Sequence, residues 1–173
     1  RLATASPGGF MIYPMAMAAA IGEALGLTGE EITAGVAAYV PTGSRMHIIH
    51  LSEERLLIDD CYNANPQAMT EALKLLAVTQ TRRRAAVLGD MGELGELTVS
   101  AHRAIGALTG ELHLDSVIAI GEKARDIASA ASNAQWFPSV EDALPAVHAA
   151  FTGGTAMLVK ASHAMHFENI VKE

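Results

Sequence analysis

Apolar positions in the second half of the chain follow two spacings in turn, and this alternation predicts an α/β domain. Four short apolar runs rich in β-branched residues are typical of buried strands; they lie at 85–88, 116–120, 135–137 and 156–159. Between these runs, apolar residues recur every three or four positions, which predicts helices. Strands that alternate with helices form right-handed βαβ units in a mostly parallel sheet.

The first half of the chain adds two helices and a hairpin to this pattern. Helical periods cover about 14–25 and 30–38, and the Pro-Thr-Gly-Ser sequence at 41–44 interrupts them. Runs at 46–51 and 55–58 flank a polar turn and predict an antiparallel edge hairpin. The fold class is therefore a Rossmann-like, mostly parallel sheet with that hairpin and flanking helices, preceded by two helices. Trp136, on the run 135–137, is expected in the core.

Composition narrows the function classes. Of the 173 residues, 50% are apolar and 18% are charged, which supports either one moderate domain or one domain plus an appendage. The net charge of −7 argues against a nucleic-acid partner, and no apolar stretch is long enough to cross a membrane. The single cysteine, Cys61, fits a reducing compartment, and we expect a cytoplasmic protein. The chain starts at Arg1 inside a continuing pattern, so we expect it to be a piece of a larger protein.

The richest polar segment reads Ile-Asp-Asp-Cys-Tyr-Asn-Ala-Asn-Pro at 58–66. The strand ends on Asp59 and Asp60, and Pro66 opens a helix for which Asn65 is a natural N-cap. Ligands of open α/β sheets bind outside the carboxyl ends of such strands. The alternative is a strand-to-helix turn whose Asx side chains only satisfy backbone donors.

Two further polar loops follow strands and are expected at the same edge of the sheet. In the loop at 89–95, Asp90 and Glu93 suit an ammonium group, although a glycine-rich turn with solvated acids is the simpler alternative. Lys160 suits a phosphate or carboxylate, unless it is a lysine whose stem packs at the sheet edge. His163 and His166 are three residues apart, but no third ligand accompanies them, so no metal site is predicted.

Phosphate-binding fingerprints are missing from the sequence. It contains neither Gly-x-x-x-x-Gly-Lys-[Ser/Thr] nor Gly-x-Gly-x-x-Gly. Any nucleotide site on this chain must therefore use other donors.

The segment 59–66 resembles the Asp-Asp-x-Tyr-Asn-Ala-Asn segment of the Mur ligases. Four more stretches agree with that family in the expected order: 7–27, 41–46, 87–95 and 158–163. The last is similar to the family's Val-Lys-Gly-Ser-Arg, but Ala161 replaces the glycine and His163 the arginine. Phe10 and Met11 stand where the family often has His-Asn.

The resemblance implies an ATP-dependent amide ligase of peptidoglycan precursor synthesis. ATP with Mg²⁺ would phosphorylate the carboxylate of UDP-N-acetylmuramoyl-tripeptide, and the amino group of D-Ala-D-Ala would then attack. Residues 1–42 would be the C-terminal helices of the central ATPase domain, and residues 43–173 the C-terminal domain. The missing phosphate cradle would lie in the rest of the protein's own chain, so the 173 residues alone would be inactive. A monomer is expected.

Site residues carried over from the family fall into two groups, neither catalytic nor metal-binding. The nucleotide-binding group comprises Arg45, Asp59, Asp60, Asn63 and Asn65. The group around the dipeptide comprises Asp90, Glu93, Lys160, Ser162 and His163. Two alternatives stay open: a folylpolyglutamate-type ligase of the same superfamily, and a non-catalytic α/β ligand-binding domain.

Overall fold

The computed structural model describes all 173 residues, which separate into two compact units, 1–42 and 43–173. The first unit holds a 3₁₀ turn (Gly9–Met11) and two helices, α1 (Ile12–Ala24) and α2 (Gly29–Ala37). Thr28 caps α2, because its hydroxyl accepts from the Glu31 N–H while the Glu31 carboxylate accepts from the Thr28 N–H. Helix α1 is apolar on all sides, and much of its apolar surface is exposed.

The second unit contains six strands and five helices. Its elements are, in chain order, β1 (His47–His50), β2 (Leu56–Asp59), α3 (Pro66–Val78), β3 (Arg83–Gly89), α4 (Thr98–Glu111), β4 (Ser116–Ile120), α5 (Arg125–Ala130), β5 (Ala134–Phe137), α6 (Val140–Ala150), β6 (Thr155–Lys160) and α7 (Glu168–Lys172). Two 3₁₀ turns, Gly95–Leu97 and His163–Met165, precede α4 and α7. Every predicted strand is present, with its ends shifted by no more than two residues.

The strands form one six-stranded sheet in the order β1-β2-β6-β3-β4-β5. Only β1 is antiparallel, and it pairs with β2 as the predicted hairpin. Strand β6 lies between β2 and β3, so that Val159 is beside both Asp59 and Val87. The predicted mostly parallel α/β fold is confirmed, and the carboxyl ends of β2, β6 and β3 are neighbours.

Strand β6 is the centre of the hydrophobic core, since all six of its residues are buried. On one face of the sheet, Met157 and Val159 belong to a buried cluster with Ala143 and Val147 of α6. Phe167, just before α7, is fully buried in the same cluster. The edge that carries the predicted polar loops is thus attached to the most buried strand.

Two details differ from the sequence-based predictions. Trp136 is 39% exposed rather than in the core, because β5 is an edge strand and its indole lies at the surface. The indole N–H donates to the carbonyl of Gly121 at 2.7 Å, which gives its polar atom a partner. The sequence also predicts a helix start at Gly121 and Glu122, after the run 116–120. The helix after β4 starts instead at Arg125, because Gly121 has a φ of 111° and forms a turn. None of the helices is both long and apolar enough to traverse a membrane.

Candidate functional site

The predicted polar loops meet at one edge of the sheet, as the parallel strands require. The ammonium group of Lys160, at the end of β6, reaches across to the loop after β2, where it contacts the Asp60 carboxylate and the carbonyl of Asn63 at 3.0 Å. On the other side, the Ser162 N–H donates to the carbonyl of Asp90, after β3, at 3.2 Å. The end of β6 therefore joins the other two loops.

Lys160 and Asp60 form a buried ion pair. Only 2% of the Lys160 side chain and 13% of the Asp60 side chain are exposed. The second carboxylate oxygen of Asp60 accepts from the N–H of Met46 at 3.0 Å. Burial raises the pKa of Asp60, and the opposing effects of Lys160 and the Met46 N–H do not reverse this rise. The charge of Lys160 is therefore neutralised inside the chain by Asp60.

Asp59, one residue earlier, is directed into the protein, as the alternation of a strand requires. It is 5% exposed, and its carboxylate accepts from the Cys61 thiol at 3.0 Å. Burial, reinforced by this carboxylate, raises the pKa of Cys61 to about 12. A thiol that stays protonated is a poor nucleophile, so Cys61 is a packing residue.

The two asparagines of this loop do different things. The Asn65 side chain accepts from the N–H of Ala68 at 2.8 Å and caps α3, with Pro66 as the first helical residue. For Asn65 the structure shows the simpler of the two alternatives, a side chain that satisfies a backbone donor. The Asn63 side chain is exposed at the edge, while its carbonyl is held by Lys160.

Arg45, Tyr62 and His163 form a row of planar groups on the surface of the site. The guanidinium carbon of Arg45 lies 4.0 Å from the centre of the Tyr62 ring. The centre of the Tyr62 ring is also 5.2 Å from the centre of the His163 ring. Sequence reasoning did not assign Tyr62 to the site, although its position between Asp60 and Asn63 was a usable signal.

The loop after β3 is fixed by two buried contacts. The Asp90 carboxylate accepts from the N–H of Ala124 at 2.7 Å, so it organises the turn after β4. The Met91 N–H donates to Nε2 of His102, which is fully buried in α4. Because that nitrogen accepts, the ring is neutral and its Nδ1–H donates to the Thr98 carbonyl at 2.7 Å. Glu93 is exposed and has a φ of 59°.

Close backbone packing supports the same edge beneath these loops. A Cβ on Gly89 would lie 2.6 Å from the Cβ of Ala161 and 2.6 Å from Cζ of Phe167. Only glycine fits at the end of β3 without displacing its neighbours. The ends of β3 and β6 leave room between them for one methyl group. In this chain Ala161, which replaces the glycine of the family's segment, supplies that methyl group, so position 89 must be glycine.

The exposed groups of the site define what it can bind. Arg45, Asn63 and His163 offer donors to an anionic or polar ligand, and Arg45 and His163 both contact the Tyr62 ring. Glu93, in the loop after β3, adds an exposed carboxylate. No group of three His, Cys, Asp or Glu side chains in the structure is arranged to hold a metal ion. The edge is suited to an anion with a planar or polar part.

Comparison with known families and proteins gives consistent matches. A family model described as "Mur ligase, glutamate ligase domain" matches residues 44–163, more than half of the chain. The UDP-N-acetylmuramoyl-tripeptide--D-alanyl-D-alanine ligase of Escherichia coli is 34% identical over 131 residues, covering 76% of this chain and 29% of that protein. The ligase of the same name from Bacillus subtilis is 32% identical over 166 residues, covering 91% of this chain and 36% of its own length. The chain thus spans about a third of the curated relatives it matches.

Solved structures support the same conclusion about the fold. A crystal structure of MurF from Acinetobacter baumannii superposes with a TM-score of 0.86 at 29% identity, over 95% of this chain and 37% of that one. The bifunctional folylpolyglutamate synthase/dihydrofolate synthase of Yersinia pestis matches less well, with a TM-score of 0.61 at 22% identity, over 85% and 35% of the two chains. That second likeness extends to the fold alone. The family resemblance stated from the sequence is confirmed.

Proposed function

This chain belongs to the Mur ligase family, and from that premise we propose that it is the C-terminal part of an ATP-dependent amide ligase. The full-length protein adds D-Ala-D-Ala to UDP-N-acetylmuramoyl-tripeptide during peptidoglycan precursor synthesis. The relatives at 34% and 32% identity carry that activity in their names. The folylpolyglutamate-type alternative has only the distant fold likeness in its favour.

The domain assignment follows the division of the chain at residues 42 and 43. Unit 43–173 is proposed as the C-terminal domain, since it includes all of the residues 44–163 that match the family model. Unit 1–42 is proposed as the last helices of the central ATPase domain. The apolar, exposed surface of α1 is typical of a helix from the interior of a larger domain.

One observation carries the proposal: the three loops that resemble segments of the family converge at the carboxyl ends of β2, β6 and β3. Loops that are far apart in sequence but share one edge form a single ligand site. A non-catalytic interaction domain has no need for this convergence of polar loops with exposed donors.

Roles of the individual residues are proposed from their placement. Arg45 and Asn63 present exposed donors to the nucleotide, and Asp60 supports them from its ion pair with Lys160. Asp59 shapes the same loop from inside the protein, and Asn65 shapes it as the N-cap of α3. Around the incoming dipeptide we place the exposed carboxylate of Glu93, for its ammonium group, and donors from Ser162 and His163, for its carboxylate. Asp90 and Lys160 support these residues from within the protein. The group around the dipeptide thus comprises Asp90, Glu93, Lys160, Ser162 and His163.

The chemistry is phosphoryl transfer followed by acyl transfer. The tripeptide carboxylate attacks the γ-phosphorus of ATP, and ADP leaves. The dipeptide amine then attacks the acyl phosphate, loses a proton and expels inorganic phosphate. An acyl phosphate hydrolyses unless water is excluded from it. We therefore propose that the sheet edge with the polar loops also shields the reacting atoms from water.

Mg²⁺ and the phosphate cradle are proposed to belong to the rest of the protein. Mg²⁺ neutralises phosphate charge during such transfers. The residues of this chain fit an auxiliary contact to ATP, because Arg45 offers a guanidinium at the edge. We also propose that the full-length ligase is a monomer and that it is located in the reducing cytoplasm.

The test is phosphate release from ATP by the full-length protein with UDP-N-acetylmuramoyl-tripeptide, with and without D-Ala-D-Ala. Release that requires the dipeptide supports the proposal. Release with glutamate and a folate instead would identify the folylpolyglutamate-type enzyme, and release with neither pair would leave a ligand-binding domain. The 173-residue chain alone, assayed in parallel, is expected to release no phosphate.

A further inference from the structure

We propose that Tyr62 is a positioning residue whose ring holds the Arg45 guanidinium at the nucleotide edge before ATP binds. The inference rests on the proposed function, in which Arg45 contacts ATP. Tyr62 itself was assigned no role by the sequence. Its contacts with Arg45 and with His163 carry the argument.

The backbone that carries Arg45 is tied to the loop that carries Tyr62. The Tyr62 N–H donates to the carbonyl of Ser44 at 3.1 Å, one residue before Arg45. One residue after it, the Met46 N–H donates to the Asp60 carboxylate at 3.0 Å. Met46 has a φ of 51°, a left-handed conformation that a non-glycine residue adopts only when its surroundings hold it.

These hydrogen bonds fix the backbone around Arg45, but the Arg45 side chain is held only by its contact with the Tyr62 ring. Arg45 is exposed and forms no ion pair or side-chain hydrogen bond in the structure. Its guanidinium is placed over the Tyr62 ring at 4.0 Å, within the range of a cation–π contact. A long arginine without this contact would sample many rotamers and would lose that freedom on binding ATP.

The Tyr62 ring is itself restrained, although it is 44% exposed. The His163 ring lies 5.2 Å from the Tyr62 ring, and the His166 ring lies 6.1 Å from the His163 ring. His163 replaces an arginine of the family's segment, so the chain has a flat ring where a second cation would stand. The Tyr62 ring therefore contacts both the Arg45 guanidinium and the His163 ring.

The kinetic test varies ATP in the full-length protein at saturating tripeptide and dipeptide. Tyr62→Leu is expected to raise the KM for ATP about two- to fivefold, the ratio that an exposed cation–π contact supports, with kcat little changed. Tyr62→Phe keeps the ring and should behave as wild type. In an Arg45→Met background, Tyr62→Leu should have no further effect, because its action passes through Arg45.

Phe151→Leu is the matched control, since the guanidinium carbon of another arginine, Arg55, lies 5.5 Å from the centre of the Phe151 ring. This pair is not part of the polar loops. It should leave the KM for ATP unchanged. An unchanged KM in Tyr62→Leu, or an effect that persists in the Arg45→Met background, would overturn the inference.

An NMR measurement on the 173-residue chain separates this inference from the proposed function. A guanidinium above a ring shifts the Arg45 side-chain proton resonances upfield, and Tyr62→Leu should remove that shift while Tyr62→Phe keeps it. Absence of the shift in the wild-type chain would refute the positioning role whatever reaction the full-length protein catalyses. If the shift is present but the full-length protein has no ligase activity, the contact between Arg45 and Tyr62 is supported and the proposed function is refuted.

Discussion

Replacing Lys160 with methionine tests whether its buried ammonium group holds the sheet edge together. Lys160→Met keeps the length of the side chain but removes the charge that faces Asp60 and the donor to the Asn63 carbonyl. Asp60 would then be a carboxylate at 13% side-chain exposure, with the Met46 N–H as its remaining partner.

The expected loss is about 3 kcal/mol of unfolding free energy, at the lower end of the range for removing one partner of a buried ion pair. We place it at the lower end because Asp60 is not fully buried. The double variant Lys160→Met with Asp60→Asn should recover at least half of this loss. An amide at position 60 carries no charge, still accepts from Met46 and can donate to the carbonyl that Lys160 vacates.

The loss should also depend on pH, and its sign is set by the raised pKa of Asp60. An acid whose pKa is higher in the folded state than in the unfolded state costs stability as the pH rises from its ordinary value of 3.8 through the folded value. Lys160 lowers the pKa of Asp60, so removing Lys160 raises that pKa further. The pH range over which ionisation of Asp60 costs stability then becomes wider. The difference between Lys160→Met and wild type should therefore be larger at pH 8 than at pH 5.

Urea unfolding of the 173-residue chain, followed by fluorescence, measures these quantities. Trp136 is the single tryptophan and lies on β5, so the signal reports the unit that contains the ion pair. With a slope of about 1–3 kcal/mol per molar urea, the midpoint should fall by about 1–3 M. A change below about 0.5 kcal/mol would refute the reasoning that this ion pair stabilises the sheet edge.

Three smaller predictions concern groups near the same edge. Cys61 should react with iodoacetamide at pH 8 about a thousandfold more slowly than a free thiol, because its pKa is raised to about 12; fast alkylation of the native chain, seen by mass spectrometry, would contradict this. Gly89→Ala should cost about 1–3 kcal/mol in urea unfolding, because the added methyl group would lie 2.6 Å from Phe167; Gly92→Ala, where a methyl group meets open space, is the control. His102→Phe should cost about 1–3 kcal/mol by leaving a buried N–H in the loop after β3 without an acceptor, and a loss that His102→Gln does not partly restore would argue against the hydrogen bond.

The strands were predictable because each is a short apolar run with turn residues at both ends. The run 116–120 has the bounds of β4, and the others differ by at most two residues. Burial on both faces makes such runs continuous rather than alternating, and this pattern is local. The sequence did not show that β6 lies between β2 and β3, because pairing depends on partners far away in the chain.

The candidate site was predictable as a set of loops but not as a set of contacts. The sequence shows that Lys160 ends a strand, yet whether its charge is free depends on Asp60, which is 100 positions earlier. Asn65 was predictable as a cap because capping is local. Trp136 was placed wrongly in the core, since an edge strand and a central strand can have the same apolar composition.

The central place of β6 constrains the order in which the protein acquires its structure. During synthesis, β2 and β3 are made long before the strand that must separate them, so each has an unpaired edge until β6 arrives. Contacts with so large a sequence separation require closure of a long loop, which slows folding. The sheet and its ligand edge therefore form late and together. A nascent chain that stops before Thr155 lacks β6 and Lys160, and it leaves two strand edges open to aggregation.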